Sequence, residues 1–311
     1  MAHQVQALRA AGRSTPGRRR GQAARPPTSW TTRVIDRPDR VVVFADVLGF
    51  SALTEGNTLD VEALTTLDGP FASNIDDHLR AHRDPLARVF SGFHFSLRAT
   101  LQLAQMHHRF TAITFSDSAF IATRHLVEAT DLAVRLVQSL LSQHIPVRIG
   151  IAHGSFAALR FRSDITADGG DHAAHFLGTG VVRANAAEGC GIKGLRILLH
   201  PSAVALLNES AHNPSIAGER RVHIVDCSAS ETSNDVGVKH EIDYWRFNRT
   251  AEAKAWHALQ DMWRDASGVA VRHYEATAEA IERMWVAQGE APLQNLRRRT
   301  LPKRIQRVPA A

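Results

Sequence analysis

Cysteine is almost missing from this chain: Cys190 and Cys227 are the only two among 311 residues. Two thiols at that spacing exclude a disulfide framework and a cysteine-based metal site, and they read as core thiols of a reducing, cytoplasmic protein. No run of 18 apolar residues occurs, so no membrane-spanning helix is expected. The first residues have no apolar leader stretch, so no secretory signal is expected either. Histidine is plentiful at 17 residues, yet His107-His108 and His172/His175 lack a matching Cys or carboxylate at ligand spacing, which argues against zinc. No internal repeat is evident.

What the chain does have is a split charge. Residues 1–40 carry nine Arg against Asp36 and Asp39, a charge of +7, and residues 297–311 carry +6 without one acidic residue. With +6 for the whole chain, the body 41–296 is left at −7. Basic ends of this kind are solvated tails, or they touch nucleic acid. No base-reading motif accompanies them, so nucleic acid is not expected as the partner. An acidic body that binds a polyanionic nucleotide needs bound cations.

Two apolar strands each contain one aspartate. They are Val41-Val42-Val43-Phe44-Ala45-Asp46-Val47-Leu48-Gly49-Phe50-Ser51 and Phe110-Thr111-Ala112-Ile113-Thr114-Phe115-Ser116-Asp117-Ser118-Ala119-Phe120-Ile121. A carboxylate set among Val, Ile and Phe is expensive to bury unless a cation meets it. Asp46 and Asp117 are 71 residues apart and can meet on adjacent strands. Two carboxylates at strand ends suit a hard cation such as Mg²⁺ or Mn²⁺, which in turn binds nucleotide phosphates. Either aspartate alone also reads as a loop or helix cap.

The pattern predicts a disordered basic tail over 1–39, a catalytic domain over 40–250, a helical extension over 251–290 and a second basic tail over 291–311. A strand is expected at 40–46, a helix from Ser51, and an irregular insertion at 56–95. A helix over 96–107 follows, then a hairpin around Ser116-Asp117-Ser118. Leu126, Ala129, Leu132, Ala133, Leu136, Val137 and Leu140 recur at helical spacing. A strand follows at 146–153, a polar loop at 163–172, and a helix from Val181 to Glu188. Strands fit 195–200, 220–226 and 240–247. The last helical stretch has Trp256, Met262, Trp263, Tyr274 and Trp285 as packing anchors. This order is α+β and ferredoxin-like, a mixed and mainly antiparallel sheet with flanking helices.

Phe44-Ala45-Asp46-Val47-Leu48-Gly49-Phe50-Ser51 resembles the first metal motif of class III nucleotidyl cyclases. Phe115-Ser116-Asp117-Ser118 is similar to their second-metal hairpin. Val147-Arg148-Ile149-Gly150-Ile151-Ala152-His153-Gly154 resembles their Arg-x-Gly strand, and Phe176-Leu177-Gly178 with the helix ending in Glu188 resembles the segment that follows. The resemblance implies a homodimer with composite active sites. There Asp46, Val47 and Asp117 would hold two Mn²⁺ or Mg²⁺ ions, and the turn Val47, Leu48, Gly49 and Phe50 would bind phosphates. The 3′ hydroxyl would attack the α-phosphate and expel pyrophosphate.

The departures from that family are specific. Ile113 and His175 stand where adenylate cyclases carry their base-reading Lys and Asp, and Val182 and Ala186 stand at the transition-state Asn and Arg positions. Arg183 and Asn185 are the substitutes on the same helix; Thr114, His175 and Arg98 are candidate base readers. With these departures the chain resembles the pyrimidine cyclases of Pycsar anti-phage systems, which implies UTP as substrate, cyclic UMP as product, and an effector that answers to the product. Cytidylate or purine cyclisation, and a cyclase-like protein that binds nucleotide without turnover, stay open as alternatives.

Overall fold

The computed structural model describes residues 33–57, 85–105, 110–162, 172–208, 223–245 and 249–286. Strand β1 (Arg33–Val47) is followed by α1 (Phe50–Gly56), α2 (Pro85–Gln105), the strands β2 (Thr111–Thr114) and β3 (Ser118–Thr123), and α3 (Leu126–Leu141). Next come β4 (Val147–Arg162), β5 (His172–Leu177), α4 (Thr179–Glu188), β6 (Ile197–Leu199) and the short α5 (Pro201–Val204). The chain continues with β7 (His223–Asp226), β8 (His240–Asp243), α6 (Arg249–Asp265) and α7 (Val269–Val286).

Among the described residues the strands form one sheet in the order β2-β3-β1-β4-β6-β8-β7, with β5 added to the far half of β4. The pairing is antiparallel except between β4 and β6, where Gly150 lies opposite Leu198. The mixed, mainly antiparallel sheet flanked by helices is the architecture expected from the sequence.

β1 is apolar on both sides because both of its faces are covered. Val41, Val43, Ala45 and Val47 enter a large core with Phe93 and Leu97 of α2, the apolar stripe of α3, Trp256 and Trp263 of α6, and Ile281 and Met284 of α7. Val42 and Phe44 point the other way, into a smaller cluster with Phe120, Ala152, Phe156 and Ala184 of α4. Each Val, Leu, Ile, Phe or Met among them contributes about 1.5–3 kcal/mol on full burial. Phe44 and Phe120 stack with ring centroids 4.4 Å apart. Helix α4 lies directly on β4: a Cβ added to Gly150 would fall 2.1 Å from the Ala184 carbonyl oxygen and 2.6 Å from the Glu188 nitrogen. Only glycine permits that approach, which fixes the end of α4 over the sheet.

Four boundaries differ from the expectation. β1 begins at Arg33 rather than 40, pairing with β4 through Arg33 opposite Arg160, so part of the expected tail is strand. Helix α2 begins at Pro85, inside the stretch expected to be irregular, with proline at its opening residue where a missing N–H does no harm. β4 runs on to Arg162, past the strand end expected at 153, and gains β5, whose first residue, His172, closes the stretch expected to be a polar loop and whose others were given no element. The C-terminal helical stretch is two helices, separated at Gly268, whose φ is +57°. Residues 1–32 of the tail expected at 1–39, the whole tail expected at 291–311, the last four residues of the expected helical extension and most of the 56–95 insertion lie outside the described residues.

Candidate active site

The hairpin does the assembly. Ser116 and Asp117 form its two-residue loop, closed by the Phe115 N–H donating to the Ser118 carbonyl at 2.8 Å. The Val47 N–H donates to the Asp117 carbonyl at 3.0 Å, and Asp46 lies directly opposite Ser118 in the ladder. The two aspartates expected to meet are therefore brought together at one end of β1. The Ser116 hydroxyl donates to Asp117 Oδ1 at 3.0 Å. His94 of α2, in the stretch expected to be irregular, bonds the Ser116 carbonyl through Nε2 at 3.2 Å.

On the other side of Asp46 stands Arg148 of β4, its direct partner in register. Its guanidinium is already committed: Nη2 and Nε lie 2.6 and 2.7 Å from Glu188 Oε1, and Nη1 donates to the Ile192 carbonyl at 3.1 Å. Three carboxylates thus gather near a guanidinium that is bonded to one of them, Glu188. Burial, and then repulsion from Glu188 and Asp117, outweigh the pull of Arg148 and push the Asp46 carboxyl up to about 7. Neither Arg148 nor Glu188 was assigned a role from the sequence. The signal was present: a charge inside Val147-Arg148-Ile149-Gly150-Ile151 demands a partner as much as Asp46 does.

The residues fit a divalent cation. Asp46 and Asp117 offer hard oxygen donors, and the excess negative charge that raises Asp46 is what a cation would neutralise. Among the described residues no group of three His, Cys, Asp or Glu side chains closes into a complete metal cage. A cation held by the two aspartates would have to take its further ligands from substrate phosphates and water.

No family model matches this chain, and no curated protein does. Solved structures do. The guanylyl cyclase Cya2 is 15% identical, with a TM-score of 0.42 over 67% of this chain and 92% of that one. The catalytic core of a rhodopsin-guanylyl cyclase with converted specificity, in complex with ATPalphaS, is 12% identical, with a TM-score of 0.43 over 68% and 97%. The adenylyl cyclase CyaB from P. aeruginosa is 13% identical, with a TM-score of 0.39 over 68% and 95%. No activity passes to this chain at such scores; its own residues have to supply the reading.

Other expected site residues do not join the two aspartates. The Leu48 N–H is spent on the Pro146 carbonyl at 2.9 Å, and that of Val47 on Asp117, so neither binds phosphate. Gly49 sits at φ +80°, and a Cβ on it would meet nothing within 4 Å, so glycine is required for the turn's conformation rather than for clearance within the chain. Strand alternation moves the candidate base readers: Thr114 pairs with Ala119 and His175 with Leu159, whereas Ile113 and Phe176 share the face of Asp46. Thr114 and His175 thus lie on the opposite face of the sheet, and Arg98 is an exposed residue of α2.

Arg183 and Asn185 are exposed on α4. Arg183 donates to the His153 carbonyl at 3.0 Å. His153 is five residues along β4 from Arg148, roughly 16 Å at the rise of a strand. Within one chain Arg183 does not stand with Asp46 and Asp117.

Proposed function

We propose that this chain is a divalent-metal-dependent nucleotidyl cyclase that converts UTP to 3′,5′-cyclic UMP and pyrophosphate. The observation that carries the reading is the docking of the Ser116-Asp117 loop onto the end of β1, which sets Asp46 beside Asp117 with Glu188 and one committed arginine. In the reaction the ribose O3′ bonds to the α-phosphorus, the bond from that phosphorus to the bridging β-phosphate oxygen breaks, and the hydroxyl proton leaves to solvent.

Asp46 and Asp117 would hold Mn²⁺ or Mg²⁺, two ions per site, with Val47 adjoining. Ions bound there supply Lewis acidity toward the 3′ hydroxyl and neutralise the triphosphate. Asp46, held half-buried on β1, is the carboxylate whose affinity depends most on losing its proton. Asp117 is oriented by the Ser116 hydroxyl. Gly49 and Phe50 present backbone N–H groups at the start of α1 to phosphate oxygens.

A homodimer with composite sites is part of the proposal. The face that carries Asp46 also carries an aromatic group, Phe44, Phe115, Phe120 and Phe176, with Phe115 41% exposed and Val182 of α4 68% exposed at its margin. A second copy laid over this face covers those side chains and brings its own Arg183 and Asn185 toward the carboxylates. The choice of a pyrimidine is supported by Ile113 and Phe176, apolar residues on the carboxylate face that offer a purine edge no charged reader. The resemblance to Pycsar enzymes supports a role in anti-phage signalling, with the product acting on a separate effector.

Incubation with Mn²⁺ and all four nucleoside triphosphates, followed by mass spectrometry, tests the proposal. Cyclic UMP is the expected dominant product. Cyclic AMP or cyclic GMP formed faster contradicts the base assignment, and cyclic CMP in excess makes the enzyme a cytidylate cyclase. A second reading, nucleotide binding without turnover, is favoured by the tie between Arg183 and His153 on the far part of α4. Tight UTP binding with no product from any triphosphate would establish it.

A further inference from the structure

Helix α7 lies beyond the span that resembles a cyclase, yet it reaches the carboxylate site by a short route. Thr277 is fully buried. Its hydroxyl donates to the His273 carbonyl at 2.7 Å and accepts the Leu195 N–H at 2.8 Å. One turn earlier on the same face, His273 Nδ1 accepts the Gly194 N–H at 3.3 Å. Two successive N–H groups of the segment joining α4 to β6 are thus held by α7. That same segment supplies the Ile192 carbonyl to Arg148, whose guanidinium holds Glu188 and faces Asp46 across the ladder. Farther along, Arg283 Nη2 anchors α7 through Glu241 at 2.9 Å and Glu231 at 3.2 Å.

We propose that α7 is a positioning element of the active site, with Thr277 and His273 fixing residues 192–195 and thereby the place of Arg148 and Glu188 beside Asp46. The proposal rests on the metal-dependent cyclase reading above. Its physical content is a competition. With Ile192 fixed, Arg148 stays on Glu188 and leaves Asp46 to a cation. With that segment loosened, Arg148 is free to turn onto Asp46, where it competes with the metal. The expected signature is therefore a change in metal dependence rather than in nucleotide binding, and a purely structural role for α7 would not produce it.

The test compares wild type, Thr277→Val, which keeps the shape and loses the acceptor, and Thr277→Ser, which restores it. Cyclic nucleotide formation is measured against Mn²⁺ concentration, Mn²⁺ affinity is read directly by electron paramagnetic resonance without turnover, and circular dichroism reports the folded fraction. The Val variant is expected to need about tenfold more Mn²⁺ for half-maximal rate, the order of effect that outer-shell partners of metal ligands show. Its KM for nucleotide at saturating Mn²⁺ stays within about twofold, and the Ser variant returns to wild type. If the Val variant does not fold, His273→Ala carries the same test at a half-buried position, with a Mn²⁺ shift of the same sign. An unchanged Mn²⁺ dependence in a folded variant, or a shift that Ser does not rescue, overturns the proposal while leaving the cyclase reading intact. A wild type that makes no cyclic nucleotide from any triphosphate removes both.

Discussion

Two groups of buried charge sit in this molecule, and they are built on opposite plans. Around Arg196 the charges balance. Its guanidinium is 1% exposed and meets Glu241, itself fully buried, and Glu231, while Arg283 closes the group from α7. Burial opposes the charge on Arg196, but Glu241 and Glu231 outweigh it and hold the guanidinium above its ordinary range. Burial likewise opposes the Glu231 charge, and its hydrogen bonds and attraction to Arg196 pull it down to about 2. Around Asp46 the charges do not balance: Asp46, Asp117 and Glu188 gather near Arg148, which is bonded to Glu188, and Asp46 is pushed up to about 7. A balanced buried group is complete and ties elements together. An unbalanced one is neutralised by a proton or, under the proposed reading, by a divalent cation carrying nucleotide phosphates.

Substitutions break the comparison most sharply at its two centres. Asp46→Asn is expected to lower the rate of cyclic nucleotide formation by roughly 10³-fold, about 4 kcal/mol of lost transition-state stabilisation, while the metal-free protein melts no lower than wild type. Initial rates and thermal melts on the same preparation check both halves. Glu241→Ala does the reverse. It leaves Arg196 with Glu231 alone in the core and is expected to destabilise the fold by about 3–5 kcal/mol, read from urea unfolding at constant m-value.

Asp46 and Glu231, one from each group, respond to pH in opposite senses. Asp46 has its folded value raised from 3.8 to about 7, so without metal its contribution to stability is full below about pH 4 and is lost as pH rises through about 7. Glu231 is lowered from 4.5 to about 2, so its contribution is full above about pH 4.5 and is lost as pH falls through about 2. Melting wild type and Asp46→Asn in parallel from pH 5 to 8 without metal should show the variant gaining on wild type up to about pH 7 and the gap levelling above it. A constant gap would contradict the raised carboxyl. The smallest effect is expected at the half-exposed pair of Asp131 and Arg135 on α3, 2.7 Å apart. Arg135→Ala should change stability by no more than about 0.5 kcal/mol, as surface pairs of this spacing do.

The parts legible in the sequence were those where pattern and burial agree. Val41–Val47 carries its own strand signal, the Ser116-Asp117 loop its own turn, and α3 its own 3.6-residue period, so the meeting of Asp46 with Asp117 could be anticipated. The parts that were missed depend on a partner. Residues 33–37 are charged and contain too few apolar residues to announce a strand; they become one because β4 extends alongside them. β5, with the sequence His-Ala-Ala-His-Phe-Leu, has no β-branched residue and is made by the same extension. His175 is reached by counting back from Gly178 and Thr114 is the neighbour of the counted Ile113, and one residue along a strand moves a side chain to the other face. Arg148 and Glu188 were in plain view as motif letters, but their joint position beside Asp46 follows from the close packing of α4 at Gly150.

The central claim is that Asp46 and Asp117 together clasp divalent cations at the end of β1. The most direct measurement is Mn²⁺ binding by electron paramagnetic resonance, with UTP lacking its 3′ hydroxyl present to complete the ligand set without turnover. Wild type should bind Mn²⁺, and Asp46→Asn and Asp117→Asn should each abolish that binding while remaining folded. Wild-type affinity retained in either variant would mean that the two carboxylates do not act as one site.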